Sequence, residues 1–256
     1  MPTPLLWRVL TTVDRGFVGL SGRLDVTGDI PADLRGRPLL LASNHIGNLD
    51  PFVLIAACRE IGVHPRFLLT AGLLEAPVLG PLLKASGHLR VDRGAADVGA
   101  AYHRTVDVLK RGGDPIALYP EGRISLDPGL WPERGKTGAA RLALSGGVPV
   151  VPVSQWGAHE AVHWGNTNVA GWADAKPYVT SYLSGIRRRP TFKVHFGKPV
   201  DLADLADGRP GDARRAHERI MRAITEGLAP LRVHEPDVPA FHDPTRPTTG
   251  NSPWRP

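Results

Sequence analysis

The sequence predicts an α/β domain with a mostly parallel sheet flanked by helices and preceded by an amphipathic N-terminal helix. Three observations support this fold class. Nearly continuous apolar runs such as RPLLLAS and VPVVPVS are typical of strands that are buried on both faces. Segments with helical periodicity alternate with these runs, as expected of a parallel sheet with helical connections. The 256 residues, of which 42% are hydrophobic, are enough for one large domain with a substantial core.

The N-terminal segment, residues 1–21, is predicted to be an amphipathic helix. At helical spacing its apolar side chains fall on roughly one face, which is formed by Leu6, Val9, Leu10, Val13, Phe17 and Leu20. Charged residues interrupt the segment, so it lacks the apolar centre of a signal peptide. No stretch of the sequence reaches the roughly 18 apolar residues that a membrane-spanning helix needs. The apolar stripe therefore fits either a membrane interface or the core of the protein itself.

Residues 22–232 are predicted to form the main domain, with strands and helices in alternation. Strands are expected at GRLDVTG, RPLLLAS, RFLLT, HLRVDR, DPIALYP, VPVVPVSQWG and TFKVHFGKPV. Helices are expected at DPFVLIAACREIG, AADVGAAYHRTVDVLKRGG, TGAARLALSGG and residues 211–230, with a short helical segment broken by proline at APVLGPLLKASG. Residues 233–256 are proline-rich and lack periodicity, which predicts a tail that is disordered or clings to the surface.

The charge of the chain favours an anionic partner. The formal net charge is +6 and the pI is about 9.8, which fits nucleic acid, an acidic membrane surface or a phosphorylated substrate. The sequence has neither interleaved aromatic and basic residues nor a recognisable nucleic-acid reading motif, so nucleic acid is not expected to be the partner. The single cysteine, Cys58, excludes a disulfide within the chain and a cysteine-rich zinc site.

Polar side chains follow three of the predicted strands, at the point where each strand ends. Ligands of open α/β sheets gather beyond the carboxyl ends of the strands, so these side chains are candidates for one common site. The three clusters are Asn44, His45 and Asp50; Asp92 and Arg93; and Glu121, Gly122 and Arg123.

His45 and Asp50 have the residue types of a general base and its orienting partner. A neutral imidazole takes a proton from a hydroxyl, while a carboxylate on its other nitrogen fixes the tautomer and stabilises the imidazolium. The two residues meet only if the chain turns between them, and Gly47 and Asn48 suit a turn. The alternative is that His45 caps the helix that follows. The spacing alone leaves both possibilities open.

Several other chemistries are not supported. The sequence contains no G-x-S-x-G nucleophile motif and no tight cluster of metal ligands beside His45. His159 and His163 are four residues apart but have no further ligand near them, which favours a surface or pocket-lining position. The stretch GLWPERGKTG is similar to a phosphate loop, but its spacing is one residue too long and it contains a proline. Lys136 in this stretch is still placed to meet an anion at the start of the next helix.

With these motifs in place, the sequence resembles the glycerophospholipid acyltransferase family, whose best-known branch contains the 1-acylglycerol-3-phosphate acyltransferases. The family's first motif, N-H-x-x-x-x-D, is matched at Asn44, His45 and Asp50. GHLRVDR at 87–93 is similar to the second motif, and YPEGRIS at 119–125 is similar to the third, F-P-E-G-T-R-S. VPVVPVS at 148–154 is similar to the fourth. The four motifs follow in the family's order between residues 44 and 154.

The resemblance implies an enzyme that acylates the hydroxyl of a lysophospholipid, most simply 1-acylglycerol-3-phosphate. His45 would deprotonate this hydroxyl, Asp50 would orient His45, and acyl-CoA or acyl carrier protein would be the co-substrate. Neither a cofactor nor a metal is implied. Arg93 would contact the acceptor's phosphate, and Glu121 with Gly122 would shape the acceptor pocket. We also expect substrate contacts from the remaining polar candidates, Asn44, Arg123 and Lys136.

The sequence departs from the family pattern at two places. The first motif commonly has serine or threonine where Gly47 stands. The third motif has Arg123 and Ile124 in place of Thr-Arg, so the guanidinium comes one position early, and Arg90, Lys136 or another cation could compensate. The acceptor could therefore be another lipid, such as a glycolipid or an amino-acid lipid. A protein of another class, a non-catalytic relative that binds acyl-CoA or lipid, would have no need of a base.

A lipid acceptor also implies contact with a membrane. The basic cluster GIRRRP at 185–190 and the amphipathic N-terminal helix would suit docking on an anionic membrane, and a solvated loop is the alternative for the cluster. We expect peripheral attachment to the cytoplasmic face.

Overall fold

The computed structural model describes residues 4–69, 71–75, 79–91, 98–164, 171–205 and 208–256. These residues form an α/β fold with one seven-stranded sheet between two layers of helices. The sheet is mostly parallel and a helix precedes it, so the predicted fold class is confirmed.

The helices are α1 (Leu5–Ser21), α2 (Asp50–Glu60), α3 (Ala71–Glu75), α4 (Leu79–Ala85), α5 (Val98–Arg111), α6 (Gly138–Gly146), α7 (Trp172–Arg188) and α8 (Asp212–Leu228). The strands are β1 (Arg23–Gly28), β2 (Leu40–Ser43), β3 (Arg66–Leu69), β4 (Leu89–Arg90), β5 (Ile116–Leu118), β6 (Val150–Trp156) and β7 (Thr191–Phe196). The strand order across the sheet is β1-β7-β6-β2-β5-β3-β4.

The strand β2 occupies the middle of the sheet. It pairs in parallel with β5 on one side and with β6 on the other. Within the described sheet the antiparallel neighbours are β6 and β7, and β1 pairs in parallel with β7 at the edge. The carboxyl ends of β2, β5 and β6 consequently lie side by side, and the first, third and fourth motifs meet there.

Two apolar layers enclose β2, because its successive side chains point to opposite faces of the sheet. Leu39 and Leu41 belong to the core that includes α1 and α2. Leu40 and Ala42 belong to the core that includes α5, α6 and α8. An apolar run buried on both faces of a parallel sheet is what RPLLLAS predicts.

The N-terminal helix α1 divides its apolar side chains between the core and the surface. Trp7 and Val18 are buried against the domain, and Leu10 and Phe17 pack beside them. Four apolar side chains of the helix remain exposed, namely Leu5, Val9, Val13 and Leu20. The helix thus docks on the core, as one alternative predicts, and presents its other apolar side chains to the outside. Contact of these side chains with a membrane stays a prediction. Among the described residues, we find no helix of sufficient length and apolarity to cross a bilayer.

The helix α7 is not predicted by the sequence. Pro177 lies inside it, and a proline in a helix interior removes a hydrogen bond, so the segment resembles a loop. α7 packs on α1, where the Tyr182 ring stacks on Phe17 with 4.5 Å between the ring centroids. The basic cluster at 185–190 is not a solvated loop, since its first residues form the last turn of α7.

The proline-rich segment lies along the domain. Residues 233–256, all of them described, contain no helix or strand, in keeping with their lack of periodicity. Asp243 and Arg246 are nevertheless buried, and Trp254 packs against the core beside α8. Of the two predicted alternatives, a disordered tail or a segment that clings to the surface, the structure has the second.

Candidate active site

The first motif turns between the end of β2 at Ser43 and the start of α2 at Asp50. His45 Nδ1 lies 2.8 Å from Asp50 Oδ2. The same carboxylate oxygen accepts the backbone N–H groups of Ile46 and Gly47, at 2.5 and 2.8 Å. Since these donors require an accepting carboxylate, His45 donates its Nδ1–H to Asp50 and keeps the lone pair of Nε2.

This hydrogen bond decides between the two alternatives for His45. Its ring nitrogen bonds the Asp50 carboxylate and no side chain caps the start of α2, so the interpretation as a helix cap is wrong. The Asp50 side chain is fully buried, whereas the His45 side chain is 16% exposed. The imidazole therefore reaches the surface while its partner is shielded from water. An imidazole held in this way can accept a proton at Nε2.

Tyr119, at the end of β5, lies flat on the His45 ring. The ring centroids are 4.1 Å apart and the planes are inclined by 19°. Burial raises the pKa of the Tyr119 phenol well above its ordinary value, so the phenol stays neutral. The stacked ring limits rotation of the imidazole out of the plane that Asp50 selects. The sequence does not predict this contact, because Tyr119 and His45 belong to motifs that lie 74 residues apart.

Glu121 connects the third motif to the first. Its Oε1 accepts the backbone N–H of His45 at 2.8 Å, and its Oε2 accepts the backbone N–H of Glu133 at 2.8 Å. Gly122 closes the turn that presents this side chain, with its N–H on the Tyr119 carbonyl and a φ of +72° that favours glycine. Burial raises the pKa of Glu121 to about 8. In the structure, Glu121 supports the backbone of the base.

The predicted cations lie around this turn. Arg123 donates from Nε to Glu133 Oε2 at 2.7 Å, and its side chain is 55% exposed. Lys136 is exposed just before α6, and its backbone N–H bonds the Pro120 carbonyl. Both side chains are thus near the third motif and open to solvent.

Of the two remaining cations of the prediction, Arg90 and Arg93, the structure describes Arg90. Arg90 forms an ion pair with Glu75, in which both side chains are exposed and Nη1 lies 3.0 Å from Oε1. Arg93 lies outside the described residues, so its predicted phosphate contact stays a prediction.

Asn44 lies behind the base. Its side chain is buried, its Nδ2 donates to the Gln155 carbonyl at 3.0 Å, and its Oδ1 accepts the Gln155 N–H at 2.7 Å. These bonds fasten the end of β2 to β6. The structure thus gives Asn44 a supporting position, whereas we expected it at the substrate surface. The reason is that β6, identified from the sequence only as an apolar strand, passes directly beside β2.

There is a steric explanation for the glycine at position 47, where the family commonly has serine or threonine. A Cβ at this position would lie 3.2 Å from His159 Cα and 3.3 Å from His159 N, because the turn at 158–160 approaches the loop closely. His159 itself is 4% exposed, and its ring nitrogens find no hydrogen-bond partner among the described residues. Burial, with Arg246 and Arg232 nearby, lowers the pKa of His159 to about 3. It is a neutral residue that lines the site from behind.

Metal binding gains no support from the geometry. The described part of the chain contains no group of three His, Cys, Asp or Glu side chains placed to hold a metal ion. His163 lies beside Asp243, with 3.3 Å between Nδ1 and Oδ1.

Arg246 is a residue near the base that the sequence analysis missed. Its guanidinium donates to the carbonyl oxygens of Ile46 and Ser125, in the first and third motifs. Arg246 belongs to the aperiodic segment after α8, and no local pattern connects it with a loop 200 residues earlier.

The comparisons with known proteins agree with this arrangement. A family model described as Acyltransferase matches residues 23–156, just over half of the chain and all four motifs. The chain belongs to the Acyltransferase family. The predicted resemblance is therefore confirmed at the level of the family.

Relatives of this Acyltransferase member carry more specific names. The chain is 35% identical over 121 residues to a probable 1-acyl-sn-glycerol-3-phosphate acyltransferase of Mycoplasma genitalium, covering 46% of this chain and 44% of that protein. It is 32% identical over 126 residues to the 1-acyl-sn-glycerol-3-phosphate acyltransferase of Salmonella typhimurium, covering 48% of this chain and 49% of that protein. The matched part thus spans about half the length of these relatives.

A solved structure shows that this Acyltransferase member shares its fold with a relative. The crystal structure of the 1-acyl-sn-glycerophosphate (LPA) acyltransferase PlsC from Thermotoga maritima superposes with a TM-score of 0.57 at 18% sequence identity. The superposition covers 86% of this chain and 80% of that one. The common fold therefore extends well beyond the four motifs.

Proposed function

We propose that the protein is an acyltransferase that moves a fatty acyl chain from a thioester donor, acyl-CoA or acyl carrier protein, to the free hydroxyl of 1-acylglycerol-3-phosphate. The observation that carries the proposal is the hydrogen bond of 2.8 Å between His45 Nδ1 and the buried Asp50 carboxylate. It leaves Nε2 as the basic atom at the surface. The names of the Mycoplasma and Salmonella relatives support the acceptor.

The reaction follows from the charge on each atom. His45 Nε2 takes the proton of the acceptor hydroxyl while its oxygen attacks the carbonyl carbon of the thioester. The tetrahedral intermediate collapses, the C–S bond breaks and the thiolate leaves with the proton that the imidazolium returns. Asp50 stabilises the imidazolium during this sequence, and no cofactor beyond the thioester is needed.

The acceptor's phosphate would be met by cations of the third motif and its surroundings. Arg123 and Lys136 are the exposed candidates, and Arg93 remains a candidate from the second motif. Arg123 already pairs with Glu133, which cancels part of its charge. This pairing favours a second candidate function, in which the same chemistry acts on a lipid with a less strongly charged head group, such as a glycolipid or an amino-acid lipid.

We place the enzyme at the cytoplasmic face of a membrane, attached peripherally. The support is a patch of exposed apolar side chains on the two adjacent helices α1 and α7, here called the apolar patch: Leu5, Val9, Val13, Leu20, Trp172, Val179 and Leu183. Arginines at 187–189 stand at the end of α7 and suit anionic lipid head groups. An apolar face with basic residues at its border is typical of interfacial binding.

The test is thiol release from a long-chain acyl-CoA, with and without lysophosphatidate in detergent micelles. The protein's own cysteine is buried, so a thiol reagent reports the released CoA. We expect acceptor-dependent release that falls by at least about 10²-fold in His45→Ala. His103→Ala, an exposed histidine on α5, is the matched control and should keep full activity.

The possible outcomes separate the candidates. If thiol release does not depend on lysophosphatidate but does depend on another lysolipid or a glycolipid, the proposed mechanism stands and the proposed acceptor is wrong. Release from neither acyl-CoA nor acyl carrier protein with any acceptor, or equal release by His45→Ala, would overturn the proposal and favour a non-catalytic binding protein.

A further inference from the structure

The proline-rich segment reaches the active site through one side chain. Arg246 is 9% exposed although it carries a full charge and lies in a segment without regular structure. Its Nη1 donates to the Ser125 carbonyl at 2.9 Å, and its Nη2 donates to the Ile46 carbonyl. A guanidinium is planar and presents its donors in a fixed fork, so one side chain can bind two carbonyls and set their separation.

The two carbonyls belong to the loops that hold the base. The amide nitrogen of Ile46 bonds the Asp50 carboxylate, and the amide nitrogen of Ser125 bonds the His45 carbonyl at 2.7 Å. Arg246 therefore binds the carbonyl groups of Ile46 and Ser125. The N–H groups of the same two residues already help to define the position of His45. Buried carbonyls without a partner are costly, so the guanidinium also satisfies groups that these loops cannot satisfy themselves.

The charge of Arg246 suits this location. Burial lowers its pKa, while the nearby Asp50 and Asp243 carboxylates raise it. Asp50 is a buried carboxylate that bonds the imidazole, and a buried guanidinium close to it offsets the cost of keeping a negative charge out of water.

The segment does not depend on Arg246 for its attachment. Ser252 donates its N–H to Asp127 at 2.8 Å, Trp254 donates its indole N–H to the Glu133 carbonyl at 3.0 Å, and Arg255 pairs with Asp127 at 3.0 Å. Removal of the Arg246 side chain would therefore leave the segment in place and release the two loops alone.

We propose that Arg246 is a positioning residue for His45, which holds the loop of the first motif on the loop of the third and thereby sets the direction of the imidazole. This role adds a residue to the site of the proposed acyl transfer, and its effect on the rate rests on that proposed function. Displacement of a catalytic group by about 1 Å can lower a rate by about 10²-fold, so the loss of this fork is expected to act on kcat.

The experiment compares Arg246→Ala and Arg246→Lys with Arg255→Ala, an arginine of the same segment that does not touch the first motif. We expect kcat of Arg246→Ala to fall by about 10- to 100-fold, with KM for lysophosphatidate changed less than about threefold. Arg246→Lys should recover only part of kcat, because an ammonium lacks the fork. Guanidinium ion added at millimolar concentration should restore part of the activity of Arg246→Ala, and Arg255→Ala should match the wild type.

A second readout is independent of activity. The Nδ1 proton of His45, assigned by its absence in His45→Ala, should give a resolved downfield NMR signal in the wild type and in Arg255→Ala, and should be broadened or lost in Arg246→Ala. A wild type without acyl transfer but with this pattern would overturn the proposed function and support the positioning role. An unchanged signal in Arg246→Ala, or a kcat within twofold of the wild type, would overturn the inference. A loss of kcat or signal in Arg255→Ala equal to that in Arg246→Ala would also overturn it.

Discussion

The Glu121 carboxyl group accepts the backbone N–H of His45, with 2.8 Å between Oε1 and the nitrogen. Its other oxygen accepts the N–H of Glu133 at the same distance, so one side chain of the third motif holds both loops. Glutamine offers one accepting oxygen and would turn an NH₂ group toward one of these donors. We expect Glu121→Gln to lower kcat by about tenfold through the displaced loop, as measured by acceptor-dependent thiol release.

The same residue makes stability depend on pH. Burial raises the pKa of Glu121 from 4.5 to about 8, so between these values the folded state binds a proton that the unfolded state has lost. This contribution to the free energy of unfolding is present at low pH and disappears as pH rises toward 8. Urea unfolding at several pH values should show the wild type losing up to about 1.4 kcal/mol per pH unit relative to Glu121→Gln. A constant difference between the two proteins would contradict the assignment.

Asp50→Asn removes the carboxylate that orients His45. An asparagine oxygen at the position of Oδ2 can still accept the N–H groups of the loop and the Nδ1–H of the imidazole. The neutral amide, however, cannot stabilise the imidazolium that forms when Nε2 takes a proton. We expect kcat to fall by about 10²-fold or more while circular dichroism stays that of a folded protein. Asp107→Asn, an exposed position on α5, is the matched substitution and should be neutral. Activity of Asp50→Asn equal to the wild type would remove Asp50 from the mechanism.

Gly47→Ser restores the side chain that is common in the family and should nevertheless destabilise this protein. Its Cβ would meet the backbone of His159 at 3.2 Å, and backbone cannot move aside as a flexible side chain does. We expect a loss of about 1–3 kcal/mol in the free energy of unfolding, measured by urea denaturation. Gly99→Ser, at an exposed helical position with open space around it, should not lose stability. If both variants unfold alike, the close approach of the turn at 158–160 does not explain the glycine.

The apolar patch predicts binding to lipid vesicles. Val9 and Val13 are 52% and 65% exposed on α1, and Val→Glu at both positions would place charges where acyl chains are expected. We expect the wild type to sediment with vesicles of phosphatidylcholine and phosphatidylglycerol, and the Val9→Glu, Val13→Glu variant to bind at least about tenfold more weakly.

The control for this experiment carries the same charge change elsewhere. Val233 and Val238 are 68% and 70% exposed in the proline-rich segment, so the variant Val233→Glu, Val238→Glu should keep vesicle binding. Added salt should weaken binding of the wild type, since the arginines of α7 would be screened. Equal binding by both variants would show that α1 does not face the lipid.

Much of the fold and the centre of the site could be predicted from sequence because they depend on local patterns. Residues 38–42 are all apolar, which is typical of a short strand between two cores. His45 and Asp50 are five residues apart on either side of a turn, so their contact is nearly local. Their surroundings combine segments distant in sequence.

The sequence-based predictions were wrong where contacts between segments distant in sequence determine the structure. Pro177 marks a helix break by itself, but the rest of α7 packs on α1 and tolerates it. Asn44 is a polar residue of a catalytic motif, yet its position next to β6 turns it into a strand support. Glu121 and Arg246 act on backbone groups, which carry no signature in the sequence. Residues of this kind become visible only when the loops are seen together.

The hydrogen bond between Arg246 and the Ile46 carbonyl joins groups 200 positions apart. During synthesis the first motif is translated early. Arg246, which binds its loop, is translated long after the last motif of the family. Until that residue arrives, the Ile46 carbonyl depends on water or on substitute contacts. A shortened product that ends after α8 would contain every family motif, but the loop of its first motif would lack the hydrogen bond from Arg246. Motif content alone is therefore a poor guide to whether a fragment of this protein has a fully assembled centre.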